Sequence, residues 1–177
     1  MRIFIALLFE DEKRDIINDI LGEVRLISGS GSFTAKKNLH LTILYLGETS
    51  SQLLARIKTV LSDLIIDKFD YKTNRIKYFR KSDSSLIVYL GLEKKKELEN
   101  LYHDVRHSLK TVDLNFPNKK FTPHITLGRK VKIKKNKSIH NIYSSSLDLQ
   151  ATRISVMESK RVNDKLVYEE LFSIPLK

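Results

Sequence analysis

The sequence predicts an α+β fold in one domain spanning residues 1–177. Three observations carry that expectation. Segments with helical spacing alternate with apolar runs short enough to be strands. Several of those runs come in adjacent pairs, as in hairpins, rather than singly between helices. One short phrase occurs twice, once in each half of the chain.

The elements follow in order. Met1 to Phe9 is basic and then apolar, like a secretory leader. Glu10, Asp11 and Glu12 follow at once, however, with no small-residue cleavage site, so a buried strand over 2–9 is expected instead. Residues 11–27 carry Ile16, Ile17, Ile20, Leu21, Val24 and Ile27 at helical spacing. Ser28-Gly29-Ser30-Gly31-Ser32 cannot hold a helix and is expected to be a flexible loop. A second apolar strand covers 39–46. Ser51 is placed to cap a helix whose core face is Leu54, Ile57, Val60, Leu61 and Leu64. Strands are predicted at 70–79 and 85–91, then a helix over 93–112 with Leu98, Leu101, Val105, Leu109 and Val112 on one face. Strands at 122–129, 147–157 and 165–174 complete the chain.

Composition narrows the function. With 41% apolar and 30% charged residues the chain reads as an ordinary soluble domain. No apolar run reaches the roughly 20 residues a membrane helix needs, so no membrane partner is expected. There is no cysteine, which excludes disulfides and cysteine-ligated zinc and fits a reducing cytoplasm, the expected location. The net charge of +11, from 32 Lys and Arg against 21 Asp and Glu, favours a polyanionic partner such as RNA or DNA. The positive charge is densest from Arg129 through Lys130, Lys132, Lys134, Lys135 and Lys137, read as a solvated basic loop after a strand.

The repeated phrase is His40-Leu41-Thr42-Ile43 and His124-Ile125-Thr126-Leu127. Residues two apart in a strand share a face and stand about 6.5–7 Å apart. Each His is thus set beside its Thr, while Leu41, Ile43, Ile125 and Leu127 point to a core. Burying both polar side chains without partners is costly, and facing a wet cleft removes that cost. Two such phrases arise by chance on the order of once in a thousand shuffled chains of this composition. Two imidazoles titrating near neutrality supply a general base and a general acid together, which phosphodiester hydrolysis requires. Threonine hydroxyls can donate to phosphate oxygens, and Arg129 can help neutralise them by curling at the strand end.

Other motifs lead elsewhere. His103-Asp104 with His107 falls one carboxylate short of the zinc-protease phrase, and both histidines lie off the apolar stripe, so a solvated face is expected. His140 stands alone in a polar stretch. No nucleotide-binding glycine loop occurs, which removes an ATP-dependent ligase mechanism. With no cysteine and no acidic cluster beside either phrase, neither a metal nor any other cofactor is expected.

These residues resemble the two-histidine (2H) phosphoesterases, and within them the RNA 2',3'-cyclic phosphodiesterases often labelled 2'-5' RNA ligases. Arg2-Ile3-Phe4-Ile5-Ala6 resembles the family's opening strand. Asn38-Leu39-His40-Leu41-Thr42-Ile43 with Leu46-Gly47-Glu48 resembles its first motif block, and Phe121 to Arg129 its second. Tyr168-Glu169 through Ile174-Pro175-Leu176 resembles its closing strand. Relatives carry a tryptophan shortly before the first motif. This chain has no Trp, and Phe33 sits near that place as the candidate contact to a terminal base.

The resemblance implies two pseudo-symmetric lobes, each an antiparallel sheet with helices outside, facing each other across a cleft. It implies hydrolysis of a terminal 2',3'-cyclic phosphate on RNA to a 2'-phosphate by a monomer. It makes His40 the proton donor and His124 the proton acceptor. Thr42 and Thr126 stand beside them, the charge pattern makes Arg129 and the lysines from Lys130 to Lys137 a basic rim for RNA, and Phe33 is the aromatic substrate contact. The alternatives are a phosphodiesterase acting on 2'-5'-linked oligonucleotides, with a reversible 2'-5' ligase reaction, or a non-catalytic RNA-binding module.

Overall fold

The computed structural model describes residues 1–112, 114, 116, 120–142 and 145–177. Among these, nine strands form two antiparallel sheets. The first has the order β3(Leu41–Glu48), β1(Arg2–Leu7), β8(Arg153–Val162), β9(Lys165–Pro175). The second runs β2(Ser28–Phe33), β6(His124–Ile133), β5(Leu86–Leu92), β4(Phe69–Arg80), β7(Asp148–Ala151). Three helices, α1(Asp11–Ile27), α2(Ser51–Ser62) and α3(Lys96–Leu109), cover them. The α+β expectation and its two antiparallel sheets are thus met. No described helix is long and apolar enough to cross a membrane.

The apolar patterns explain the layers. On β1, Ile3, Ile5 and Leu7 join the main core, while Phe4 and Ala6 pack with Met157 on the opposite face. Both faces are covered, which is why this strand shows no clean alternation in sequence. The α3 stripe of Leu98, Leu101, Val105 and Leu109 is buried, as is Val112 in the 3-10 turn that follows. On α1 the buried residues are Ile17, Leu21 and Val24, and Ile16 is exposed.

The single strand expected at 147–157 is two, β7 and β8, which belong to different sheets. Three further expectations need correction. Ser28 to Ser32 is not a loop: it belongs to β2, which pairs with β6. A Cβ on Gly31 would come within 3.0 Å of Val131 Cγ2, and one on Gly128 within 2.9 Å of the same atom. The glycines let two backbones approach closely, and flexibility is not their purpose here. Second, α2 is capped by Ser50, whose hydroxyl accepts from the Leu53 N–H at 3.2 Å, and Ser51 is the first helical residue. Third, β6 continues to Ile133, so half of the basic segment lies in a sheet rather than in a loop.

Candidate active site

Both motif strands begin in the same way. His40 immediately precedes β3 and His124 opens β6; each imidazole Nδ1–H donates to the backbone carbonyl two residues earlier. For His40 this is Asn38 O at 2.7 Å, and for His124 it is Thr122 O at 2.6 Å. A carbonyl only accepts, so each neutral ring carries its proton on Nδ1 and keeps Nε2 for proton exchange.

The two sheets bring these rings to one cleft of about 540 Å³. His40, Thr42, His124, Thr126 and Arg129 line it, with Phe4, Thr34, Tyr45, Phe79, Ile87, Ser159 and Tyr168. Each imidazole sits against two aromatic rings. His40 lies 4.9 Å from Phe4 and 5.1 Å from Tyr168 between ring centroids. His124 lies 5.1 Å from Tyr89 and 5.6 Å from Phe79. Burial among these rings lowers the pKa of both histidines from the ordinary imidazole value, and the Arg129 charge lowers both further. His40 also senses His124, as expected of two titrating groups that share one cleft.

Arg129 reaches the cleft by a route that strand parity does not reveal. In a regular strand it faces the same way as Leu127, into the core. Between Thr126 and Gly128 the ladder to β5 advances by one residue only, from Tyr89 to Val88, so Leu127 is an extra residue. This bulge turns Arg129 to the cleft side. The freed Leu127 carbonyl accepts from the Thr34 N–H at 2.9 Å, and the Thr34 hydroxyl donates to the Thr126 carbonyl, also at 2.9 Å. A second bulge follows at Lys130, which holds a left-handed φ of 52°.

The first half repeats the device. Ala6 pairs with Thr42 and Ile5 with Leu44, so Ile43 is the extra residue. Three positions past Thr42, Tyr45 turns to the cleft, half exposed. Gly47, at φ 79°, adopts a left-handed conformation that suits glycine near the next register shift.

The remaining expected substrate residues are dispersed. Phe33 and Lys130 do not line the cleft. Phe33 packs on Gly128 with the Arg25 guanidinium 5.2 Å from its ring centroid. Of the basic segment, Lys132 and Lys137 line a separate groove with Arg80, Tyr78 and His140. Lys134 is committed to a helix end, donating to the Leu26 carbonyl at 2.9 Å. His103 and His107 are exposed on α3. Sequence reasoning misses the aromatic wall of Phe4, Tyr45, Phe79, Tyr89 and Tyr168. No alternation marks the Phe4 part of it, because Phe4 and Ala6 face one side and Ile3 and Ile5 the other, and all four are apolar.

A family model described as the 2'-5' RNA ligase superfamily matches residues 14–163. An RNA 2',3'-cyclic phosphodiesterase of Archaeoglobus fulgidus is 34% identical over 129 residues, covering 73% of this chain and 72% of that protein. A protein of the same name from Thermotoga maritima is 27% identical over 177 residues, 97% of this chain and 94% of its own. In fold, the chain is similar to a crystal structure of E. coli LigT complexed with 3'-AMP, with a TM-score of 0.80 at 22% identity. That alignment covers 99% of this chain and 97% of the other.

Proposed function

The chain belongs to the 2'-5' RNA ligase superfamily, a family of two-histidine phosphoesterases, and from that premise we propose that it is an RNA 2',3'-cyclic phosphodiesterase. The observation that carries the reading is the convergence of two His-x-Thr phrases, from separate sheets, on one cleft that Arg129 also lines. The curated relatives of that name supply the substrate class.

The reaction adds water across the P–O3' bond and leaves a 2'-phosphate. Neutral His124 accepts a proton from the attacking water through Nε2, its Nδ1–H being held by the Thr122 carbonyl. Protonated His40 gives its Nε2 proton to the departing 3' oxygen. In the free enzyme that nitrogen lies 2.8 Å from Thr42 Oγ1. When His40 is charged, Nε2 no longer accepts from Thr42; its N–H faces the 3' oxygen, and the threonine O–H is free to donate to a phosphate oxygen. Thr126 does the same from the other wall, and Arg129 offsets the phosphate charge. The bound anion opposes the effect of Arg129 on the imidazoles and favours the protonated state that His40 needs.

In-line attack requires the acid and base on opposite sides of phosphorus, and one histidine from each sheet suits that requirement. With a proton donor and acceptor both supplied by imidazole, turnover needs no divalent metal. We read the chain as one domain of two duplicated lobes. The order strand, helix, motif strand antiparallel to the first supports this: it occurs as β5–α3–β6, and as β1–α1–β3 with the strand β2 inserted between α1 and β3.

The test is incubation of an oligoribonucleotide ending in a 2',3'-cyclic phosphate, in excess chelator, with product mapping by phosphorus NMR. A 2'-phosphomonoester is expected. A 3'-phosphate product would reverse the leaving group, and no turnover would leave an RNA-binding module.

A further inference from the structure

Asn38 is the buried polar residue nearest the first motif, only 5% exposed, and its amide bonds to two residues far away in sequence. Nδ2 donates to the Leu166 carbonyl at 2.9 Å, and Oδ1 accepts from the Tyr168 N–H at 3.3 Å. Both partners lie on β9. Residues 166 and 168 present their backbone groups to the same side of the strand, and β9 is an outer strand of its sheet, so this side is its free edge. One side-chain amide, which carries a donor and an acceptor like a peptide unit, therefore substitutes for a short piece of an additional strand.

The residue that provides this clamp leads directly into β3, the opposite outer strand of the same sheet. The 3-10 turn Lys36–Asn38, just before β3, lies against β9, and Asn38 links the two. The same residue's backbone carbonyl receives the His40 Nδ1–H at 2.7 Å. On β9, Tyr168 places its ring edge-on to His40 at 5.1 Å and T-shaped to Phe4 at 4.9 Å. Side chain and main chain of one residue thus link the orientation of the imidazole to the strand that walls it in.

We propose that Asn38 is a positioning residue that fixes the His40 tautomer and ring orientation by clamping the β9 edge, and so governs the proton-donor side of the reaction without touching substrate. Among the described residues His124 has no counterpart to this clamp. Its carbonyl partner belongs to Thr122, whose side chain is exposed. The proposal rests on the cyclic phosphodiesterase reading for its kinetic consequence, but its structural part stands independently.

The experiment compares wild type, Asn38→Ala and Asn38→Asp by steady-state kinetics on a cyclic-phosphate oligonucleotide and by nitrogen-15 NMR of the histidine rings. Asn38→Ala is expected to lower kcat roughly 10- to 100-fold, the usual effect of removing a residue that orients a functional ligand, with KM within about twofold. The His40 ring should lose its single Nδ1–H signature while the His124 signals stay in place. Asn38→Asp keeps the shape and the acceptor for Tyr168 but loses the donor to Leu166, and kcat should fall in it too. It also serves if the alanine variant does not fold. Wild-type kcat with an unchanged His40 tautomer in either folded variant overturns the proposal. If the wild-type chain does not hydrolyse the cyclic phosphate, the functional reading fails, and the tautomer measurement still decides the role of Asn38.

Discussion

Strands β3 and β6 carry the same phrase, the same Nδ1-to-carbonyl hydrogen bond and the same bulge directly after the threonine, yet they deliver different groups to the cleft. Three positions past its threonine, β3 presents Tyr45 and then ends in Leu46-Gly47-Glu48. At the corresponding place β6 presents Arg129 and continues into lysines. His40 is hydrogen-bonded through both ring nitrogens, to Asn38 and to Thr42, whereas His124 is held through Nδ1. A shared backbone device is common to both strands, and its outputs differ: an imidazole bonded through both ring nitrogens with a tyrosine three positions past the threonine on one side, an imidazole held through Nδ1 with an arginine at that place on the other. The symmetry between two identical motifs, which the sequence does not break, is broken by what surrounds them.

The largest test of this comparison is removal of each imidazole. His40→Ala and His124→Ala should each lower kcat by roughly 10²–10⁴-fold, the usual worth of a positioned acid or base. A substrate with a better leaving group at the 3' position should restore part of the rate to His40→Ala and none to His124→Ala. Rescue of the opposite variant would exchange the two roles.

Next in size is Arg129→Ala, expected to lower kcat/KM roughly 10- to 100-fold as the phosphate goes without its guanidinium partner. Its pH dependence is more informative. The guanidinium lowers both imidazole pKa values, so its removal should move both limbs of the kcat/KM profile to higher pH. Tyr45→Ala, at the matching place in β3, removes no charge and should leave the limbs where they are. Equal shifts in both variants would contradict this difference between the strands.

A smaller contrast separates the threonines. Thr42→Val removes both the Nε2 partner of His40 and a phosphate donor, whereas Thr126→Val removes only a donor. Losses of about tenfold are expected for each, with the larger in Thr42→Val and with a displaced acid limb in that variant alone. Single-turnover rates across pH would show this.

The smallest effect concerns the basic segment. Lys132→Glu with Lys137→Glu should reduce the salt dependence of oligonucleotide binding, by a slope of about 0.7 for each phosphate that is no longer neutralised. Lys134→Glu should act mainly on stability, because its ammonium caps α1. Binding titrations at several salt concentrations, alongside thermal melts, would separate the two.

Legible along the chain are the class of the fold, the helices α1 and α3, and the duplicated phrase with its two histidines. Each of these is written locally, in periodicity or in the order of neighbouring residues. The β2 strand was not legible, because Ser-Gly-Ser-Gly-Ser has no apolar side chain to show a pleat, and its reason lies across the sheet at Val131 and Gly128. The Arg129 direction was not legible either, since a bulge is a disagreement between two strands and one strand alone cannot record it. Only the tertiary structure brought Asn38 to the far edge of its own sheet and set Phe4, Tyr168, Tyr89 and Phe79 around the imidazoles. Those interactions join residues distant along the chain, and burial, which sets the proton affinity of both histidines, exists only once the sheets have closed on them.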